Sequence, residues 1–317
     1  MLLKKKYVSP FPILLKAICV AALFLYGFQS FGQSVRQDRK LTRALEGLVE
    51  DFEGVAGIYV LNLEQHKEAF VNADTIFPTA SIVKVPILVG IFKKIADGEL
   101  HYHQSLTYRD SMALGGSGFM QYFKDSTTVD LSVAVNLMMA YSDNTASVWC
   151  QNLAGGGTAI NAFLAEKGYS YTRVNSRTEG REAAYQQYGW GQTTPREMAQ
   201  LLVSIRKHKL LSSQADDRMY REMTKAYWDE YALAEIPPYV QVASKQGMVN
   251  ASRSELVMVN APHGDYVFYI ATKKNKDERW ELTNAAWELA RKVSKFLWNY
   301  YEPRDAWDSA GNRTFWN

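Results

Sequence analysis

The chain has 317 residues, with 36 lysines and arginines against 33 aspartates and glutamates. Residues 1–32 hold four of the lysines and no acidic residue, so the rest of the chain carries 32 basic and 33 acidic side chains. A near-neutral chain gives no electrostatic reason to expect nucleic acid or an anionic membrane surface as a partner.

The N-terminus has the pattern of a secretory signal. Lysines at positions 4–6 precede an apolar run over residues 17–28, and small residues follow at Ser30 and Gly32. This pattern predicts a signal peptide over 1–32 that is cleaved near Gly32, and a periplasmic or secreted mature protein. A membrane helix needs about 20 apolar residues, so we expect no stable membrane anchor after cleavage, although an uncleaved anchor stays an alternative.

Beyond the signal, the chain has one cysteine, Cys150, in an apolar helical segment. It cannot form an internal disulfide, and we expect a buried and inert thiol. The five histidines, including His101 and His103, form no ligand pattern with nearby cysteines or acids, so we expect neither a metal nor another cofactor.

Hydrophobic periodicity predicts the elements. In chain order they are a helix over 35–52, strands over 55–63 and 69–71, helices over 81–97, 129–139, 145–153 and 158–167, helices from 195 to about 225, strands over 239–244, 254–259 and 266–272, and a helix over 277–301. The loop over 169–192 is long enough to suggest a function of its own. Thr194-Pro195 is a strong helix start.

This order predicts an α+β fold. The terminal strands would form an antiparallel five-stranded sheet flanked by the terminal helices, in an α/β lobe of 33–75 and 226–302. Residues 76–225 would form a helical lobe, and residues 303–317 a polar tail. Ser81 then falls where the two lobes meet, which is a favoured place for a small-molecule site.

Ser81 and Lys84 lie three residues apart in an apolar segment, so on a helix they share one face. A serine hydroxyl needs a neighbouring base to act as a nucleophile, and a desolvated lysine can supply it. The alternative is a helix-capping serine and a surface lysine. Ser204 and Lys207 have the same spacing in an ordinary basic helix, so the spacing alone decides nothing.

Two further motifs follow. Ser142-Asp143-Asn144 stands at a turn between two predicted helices, and Lys245-Gln246-Gly247 at the end of a predicted strand, where glycine allows close approach of a ligand. Each motif alone is ordinary, and Ser-Asp-Asn is a common cap sequence. Together with Ser-x-x-Lys, and in this order along the chain, the two motifs form a known sequence signature.

With these three motifs, the chain resembles the class A serine β-lactamases, within the wider group of penicillin-recognising serine enzymes. The resemblance covers most of the chain after the signal and implies the two-lobed β-lactamase-like fold. It implies that Ser81 opens a β-lactam ring and becomes acylated, with Lys84 as its base or proton relay. Ser142 would pass a proton to the departing nitrogen, held by Lys245.

The resemblance also implies substrate contacts. Asn144 would bind the side-chain amide of the substrate, and the backbone N–H groups of Ser81 and of Met248, after Gly247, would form the oxyanion hole. Arg253 resembles the arginine that helps to anchor the substrate carboxylate. Gln246 replaces the usual threonine or serine; its amide can still bind a carboxylate, although it is longer.

Hydrolysis of the acyl-enzyme needs an activated water, which the family obtains with a loop glutamate. Arg177-Thr178-Glu179 resembles the Arg-x-Glu of that loop, so Glu179 is the candidate base and Glu182 its rival; both could instead be solvated loop acids. Ala183 stands where the family usually has an asparagine that helps to position the water, and Gly191 stands near the place of an aspartate that normally pairs with the loop arginine. We therefore expect altered or weak turnover.

The predicted function is hydrolysis of β-lactams through a Ser81 acyl-enzyme by a monomer with a small-molecule substrate. Two alternatives stay open. One is a D-alanyl-D-alanine peptidase or a related amidase or esterase on the same scaffold. The other is a sensor domain that a β-lactam acylates once and that never releases the product.

Overall fold

The computed structural model describes residues 35–305, 307 and 309. The chain divides into two compact units, residues 1–36 and 37–317, and the fold described below is that of the second. The predicted signal peptide and its cleavage position lie outside the described residues. Within the described part of the chain, no helix combines the length and the apolar character needed to cross a membrane.

One antiparallel sheet forms the centre of the fold. Its strands are Arg36–Gln37 (β1), Val55–Asn62 (β2), Lys67–Val71 (β3), Val242–Val249 (β4), Ser252–Val259 (β5) and Tyr266–Lys273 (β6). Their spatial order is β1-β3-β2-β6-β5-β4, so the strands from the two ends of the chain meet at the β2–β6 pair. The prediction of an α+β fold is confirmed; the five predicted strands are present, and the sixth, β1, has only two residues.

The described helices are Arg39–Val49 (α1), Lys84–Ala96 (α2), Leu131–Ala140 (α3), Asn144–Leu153 (α4), Gly156–Glu166 (α5), Glu182–Tyr188 (α6), Pro195–Arg206 (α7), Ser213–Met223 (α8) and Ala285–Tyr301 (α9). Polar side chains cap the N-termini of α1, α3, α4, α7, α8 and α9, whereas α2, α5 and α6 have no side-chain cap. At α7, the hydroxyl of Thr194 accepts a hydrogen bond from the backbone N–H of Glu197 at 3.2 Å.

Alternation along the strands gives the sheet two apolar faces. Leu256, Met258 and Val267 lie in one core cluster with α2 to α5, α7 and α8. Val257 and Phe268 lie in a second cluster with α1 and α9. Both faces are therefore covered, and the sheet is buried between the terminal helices and the other helices.

The apolar segment around Ser81 becomes the most deeply buried helix. It begins as a 3-10 turn, Ala80–Val83, and continues as α2, in which every residue from Lys84 to Phe92 is buried. A helix that is apolar all round belongs inside a core. Burial on all sides removes Lys84 from water and thereby lowers the pKa of its ammonium group.

The predicted long loop over 169–192 holds more structure than expected. It contains α6 and joins a small sheet in which Gly191–Thr193 pairs with both Phe77–Pro78 and Arg173–Val174. This small sheet connects the loop to the residues just before Ser81.

Candidate active site

Four side chains from the three motifs converge. The Nζ of Lys84 lies 3.0 Å from the Oγ of Ser81 and 3.1 Å from the Oγ of Ser142. The Nζ of Lys245 lies 3.0 Å from the same Ser142 Oγ. One continuous chain of polar atoms thus joins the helix α2, the turn before α4 and the strand β4.

The turn between α3 and α4 aims Ser142 at the two lysines. Ser142 has a φ of 57°, in the left-handed region, and is followed by Asp143. The Asp143 carboxylate accepts hydrogen bonds from the backbone N–H groups of Phe119, Met120 and Ala146 at 2.6, 2.7 and 2.8 Å. Asp143 therefore caps α4 and holds the turn in place, which matches the capping role that Ser-Asp-Asn sequences often have.

Asn144 also contacts Lys84. Its Oδ1 accepts from Lys84 Nζ at 3.0 Å, and its Nδ2 donates to the carbonyl of Gly115 at 3.1 Å. The carboxamide is therefore fixed beside Lys84 by the glycine-rich segment that precedes α3.

Burial brings the pKa of Lys84 close to neutrality. Its side chain is completely buried, and desolvation lowers its pKa to about 7, against a smaller opposing effect of the Asp143 carboxylate. Burial and the charge of Lys84 also lower the pKa of Lys245. Lys84 can thus lack its proton near pH 7 and accept one from the Ser81 hydroxyl.

Within the strand β4, Gln246 contacts Lys245, and Gly247 brings the strand close to the backbone around Ser81. The Oε1 of Gln246 accepts a hydrogen bond from Lys245 Nζ at 3.0 Å. The side-chain amide therefore contacts the neighbouring lysine. A Cβ on residue 247 would lie 2.5 Å from the carbonyl oxygen of Thr79 and 3.0 Å from the backbone nitrogen of Ser81. Only glycine lets β4 approach Ser81 this closely.

The replacement Gly247→Ala is expected to lower the free energy of unfolding by about 1–3 kcal/mol, because Thr79 or β4 must move to admit the methyl group. The same movement should slow acylation of Ser81 by about tenfold, since it displaces the backbone around the nucleophile. Urea unfolding and the rate of penicillin uptake measure the two effects. Gly47→Ala is the control, because nothing lies within 4 Å of a Cβ at that helical position.

Ser81 opens onto a cavity of about 690 Å³. The cavity is lined by Pro78, Ala80, Ser81, Asn144, Gln187, Tyr188, Gly189, Trp190, Met248, Val249, Ala251, Ser252, Lys273 and Lys274. The predicted oxyanion-hole residues Ser81 and Met248 both line it, as does Asn144. None of these lining residues is an aspartate or a glutamate.

Neither predicted deacylation base reaches this cavity. Glu179 and Glu182 are exposed, and both line a separate cavity of about 560 Å³ on the loop. Glu182 accepts a hydrogen bond from the backbone N–H of Gly180 at 3.2 Å. The arrangement matches the alternative in which both are solvated loop acids, because α6 turns this part of the loop outwards.

We therefore expect Glu179→Gln and Glu182→Gln to change the lifetime of a Ser81 acyl-enzyme by less than about twofold, as for exposed surface substitutions. Intact-protein mass spectrometry after removal of free penicillin follows the decay of the adduct. A much longer lifetime in either variant would show that the loop closes over the cavity during the reaction.

Arg253 is placed differently from its predicted role. Ser254 lies on the Ser81 side, with its Oγ 3.5 Å from the carbonyl oxygen of Thr79, so its neighbour in β5 points to the opposite face of the sheet. The guanidinium of Arg253 is buried and donates to the carbonyls of Asn250, Ser252 and Arg279. These carbonyls accept from the Nη groups of Arg253 on the face of the sheet opposite Ser81, so Arg253 is not positioned to anchor a substrate carboxylate.

Most residues of the cavity were not predicted from the sequence, among them Trp190, Lys273 and Lys274. Trp190 lies with its ring centroid 5.8 Å from Lys84 Nζ, and Lys273 and Lys274 line the same cavity. The only sequence feature that pointed to Trp190 was its position near the end of the loop over 169–192. No sequence feature pointed to the two lysines.

The remaining predicted residues with reactive groups lie outside the site. Cys150 is buried, and burial raises the pKa of its thiol to about 12, so it stays protonated. Among the described residues, histidine, cysteine, aspartate and glutamate form no group of three that could hold a metal ion.

The fold and the pairing of Ser81 with the buried Lys84 are those expected of a serine hydrolase. Comparison with known proteins identifies the family. The chain belongs to the beta-lactamase enzyme family, whose model matches residues 40–301.

Individual relatives agree with this assignment. Beta-lactamase VEB-1 of Pseudomonas aeruginosa is 23% identical over 299 residues, which cover 91% of this chain and 98% of that protein. The acyl-enzyme complex of a PBP-A mutant with penicillin G has a TM-score of 0.76 at 27% identity, over 85% of this chain and 99% of the other. A β-lactamase from Chitinophaga pinensis shares the fold, with a TM-score of 0.74 at 18% identity, over 83% and 99% of the two chains.

Proposed function

We propose that this protein reacts with β-lactams through an acyl-enzyme at Ser81 and releases the product slowly. The observation that carries the proposal is the completely buried Lys84, with a pKa lowered to about 7, at 3.0 Å from the Ser81 hydroxyl. The likeness to the mutant of PBP-A whose structure is an acyl-enzyme complex with penicillin G supports the choice of substrate.

In the first step, the neutral amine of Lys84 accepts the proton of Ser81 as the Oγ forms a bond to the β-lactam carbonyl carbon. The resulting oxyanion lies against the backbone N–H groups of Ser81 and Met248. One such donor typically contributes about 3 kcal/mol to stabilisation of the transition state.

Collapse of the tetrahedral intermediate breaks the carbon–nitrogen bond of the ring. The departing nitrogen takes a proton from the Ser142 hydroxyl, which is replaced by a proton from Lys84 at 3.1 Å. Lys84 thereby returns to its neutral form. Lys245, 3.0 Å from the same hydroxyl, orients Ser142 for this transfer.

Release of the acyl group requires a water and a base. No carboxylate lines the 690 Å³ cavity, so Lys84 is the base that stands beside the ester in the described structure. The proposal is therefore rapid acylation and slow hydrolysis, in line with the altered turnover predicted from Ala183, Gly191 and Gln246.

A D-alanyl-D-alanine peptidase is the second candidate. The same observation favours it, because a peptidase acyl-enzyme needs no dedicated glutamate and can pass its acyl group to an amine or water through Lys84. Cleavage of a D-Ala-D-Ala peptide, with a long-lived penicillin adduct, would favour this reading over a β-lactamase.

Intact-protein mass spectrometry after mixing with benzylpenicillin tests the proposal. We expect the mass of one intact penicillin on the wild-type protein, located by peptide mapping to the segment that contains Ser81, with Ser81→Ala as the blank. Parallel loss of a chromogenic cephalosporin measures turnover. Absence of an adduct together with absence of turnover would refute acylation, and an adduct on another residue would move the nucleophile.

Export to the periplasm or the exterior is part of the proposal and rests on the pattern of residues 1–32. The exported protein is proposed to act as a monomer. N-terminal sequencing of the protein from a periplasmic extract should find a start near Gln33. An unprocessed N-terminus in the membrane fraction would contradict it.

A further inference from the structure

The lining of the cavity beside Ser81 carries an excess of positive charge. Lys273 and Lys274 line it, and no lining residue is acidic. Lys273 is half-buried: its Nζ donates to the carbonyl of Ile76 at 2.7 Å and lies 4.8 Å from the ring centroid of Phe77. Lys274 is exposed and, among the described residues, forms no hydrogen bond or salt bridge.

The cavity lies on the acyl side of the nucleophile. Ser142 and Lys245, which serve the leaving nitrogen, do not line it. Asn144 and Met248 do, and so do the aromatic side chains of Tyr188 and Trp190. A substrate whose carbonyl carbon is attached to Ser81 would therefore extend its acyl side chain between these aromatic rings and β4, towards the lysines.

We propose that Lys274, supported by Lys273, makes the acyl pocket selective for substrates with a carboxylate on the acyl side chain. The inference rests on acylation of Ser81 as proposed above and specifies the substrate class. An exposed ammonium at the mouth of a cavity without acids attracts an anion, whereas Lys273 is held by Ile76 and mainly adds positive charge.

The other cations described near Ser81 are not placed to bind a carboxylate on the acyl side chain. Arg253 is occupied by backbone carbonyls on the opposite face of the sheet, and Lys84 and Lys245 are buried behind Ser81. Lys276, the next lysine along the chain, is paired with Glu53 and does not line the cavity. Lys274 is thus the cation with open access to an acyl substituent there.

A matched pair of penicillins tests this selectivity. Benzylpenicillin and its α-carboxy derivative, carbenicillin, differ by one carboxylate on the acyl side chain, and both carry the same ring carboxylate. Because the extra group also alters intrinsic reactivity, the quantity to compare is the ratio of the two acylation rate constants, measured for the wild-type protein and for variants by mass spectrometry.

Replacing Lys274 by glutamine should lower the carbenicillin-to-benzylpenicillin ratio by about threefold to fivefold, as for an exposed ion pair. Salt should lower the wild-type ratio in the same direction, because screening weakens an exposed pair. Lys209→Gln is the control: it removes the same charge from an exposed lysine between α7 and α8 and should leave the ratio unchanged.

Three results would overturn the inference. An unchanged ratio in Lys274→Gln shows that the acyl carboxylate does not use this lysine. An equal loss for both penicillins shows that Lys274 binds the ring carboxylate instead. If neither compound acylates the wild-type protein, the proposed function fails, which the benzylpenicillin arm alone reveals; acylation by benzylpenicillin with no lysine effect leaves that function standing.

Discussion

Replacing Lys84 by methionine is expected to slow acylation of Ser81 by about 10³- to 10⁴-fold, the upper range for loss of a general base. Methionine has nearly the same length and is apolar, so it fills the buried site without the cost of desolvating an amine. The protein should therefore fold and keep its cavity. Stopped reactions with benzylpenicillin, analysed by mass spectrometry, measure the rate constant.

Lys207→Met is the matched control, since Lys207 stands in the same Ser-x-x-Lys spacing with Ser204. It should acylate at the wild-type rate. Thermal unfolding of Lys84→Met should show a transition at or above that of the wild type, because a buried amine has been removed. A Lys84→Met protein that is stably folded and acylates within about tenfold of wild type would exclude Lys84 as the base.

Lys84 and Lys207 show why the Ser-x-x-Lys spacing alone could not identify a candidate base. Ser81 and Ser204 both precede a lysine by three residues. Lys84 lies on a helix that is apolar on every side and is completely buried, whereas Lys207 is exposed at the end of α7, and the Oγ of Ser204 is 2.9 Å from the hydroxyl of Tyr169. The apolar residues around position 84 distinguish the two lysines, because burial, and not the spacing from a serine, lowers the pKa of a lysine.

Periodicity predicted most elements because each has a regular apolar face. It overextended α9, which starts at Ala285 and not at 277, since Asn284 caps the helix with its side chain. It also ended β4 too early: the strand continues to Val249, so that Lys245 to Gly247 lie inside it. In this strand Lys245 contacts Ser142 and Gly247 lies close to the backbone of Ser81, and such functional positions depart from the apolar pattern.

Side-chain direction limited the prediction of the site. Ser142 and Lys245 were found because three motifs share one chemical purpose. The roles of Glu179 and Arg253 depended on which way a loop and a strand residue point, and one residue of register in a strand moves a side chain to the other face. Lys274 lies outside any motif, and only the folded cavity brings it near Ser81.

The second large effect is on pH dependence. Acylation requires Lys84 without its proton, and burial lowers the pKa of Lys84 to about 7. The acylation rate constant should therefore rise with pH, change by about tenfold per pH unit below the pKa, and level off above about pH 8. At about pH 5 it should be about 100-fold below the plateau.

The sign of this profile separates two mechanisms. If Lys84 acted as an ammonium group that only stabilises charge, acylation would fall as pH rises through 7. The groups that face Lys84 are Ser81, Ser142 and Asn144, with the charges of Asp143 and Lys245 nearby. Asp143 is the neighbouring anion whose charge raises the pKa of Lys84, so Asp143→Asn should lower the midpoint. Circular dichroism at each pH establishes that the fold persists. A profile that is flat between about pH 5 and 8 in a folded protein would contradict a titrating base at position 84.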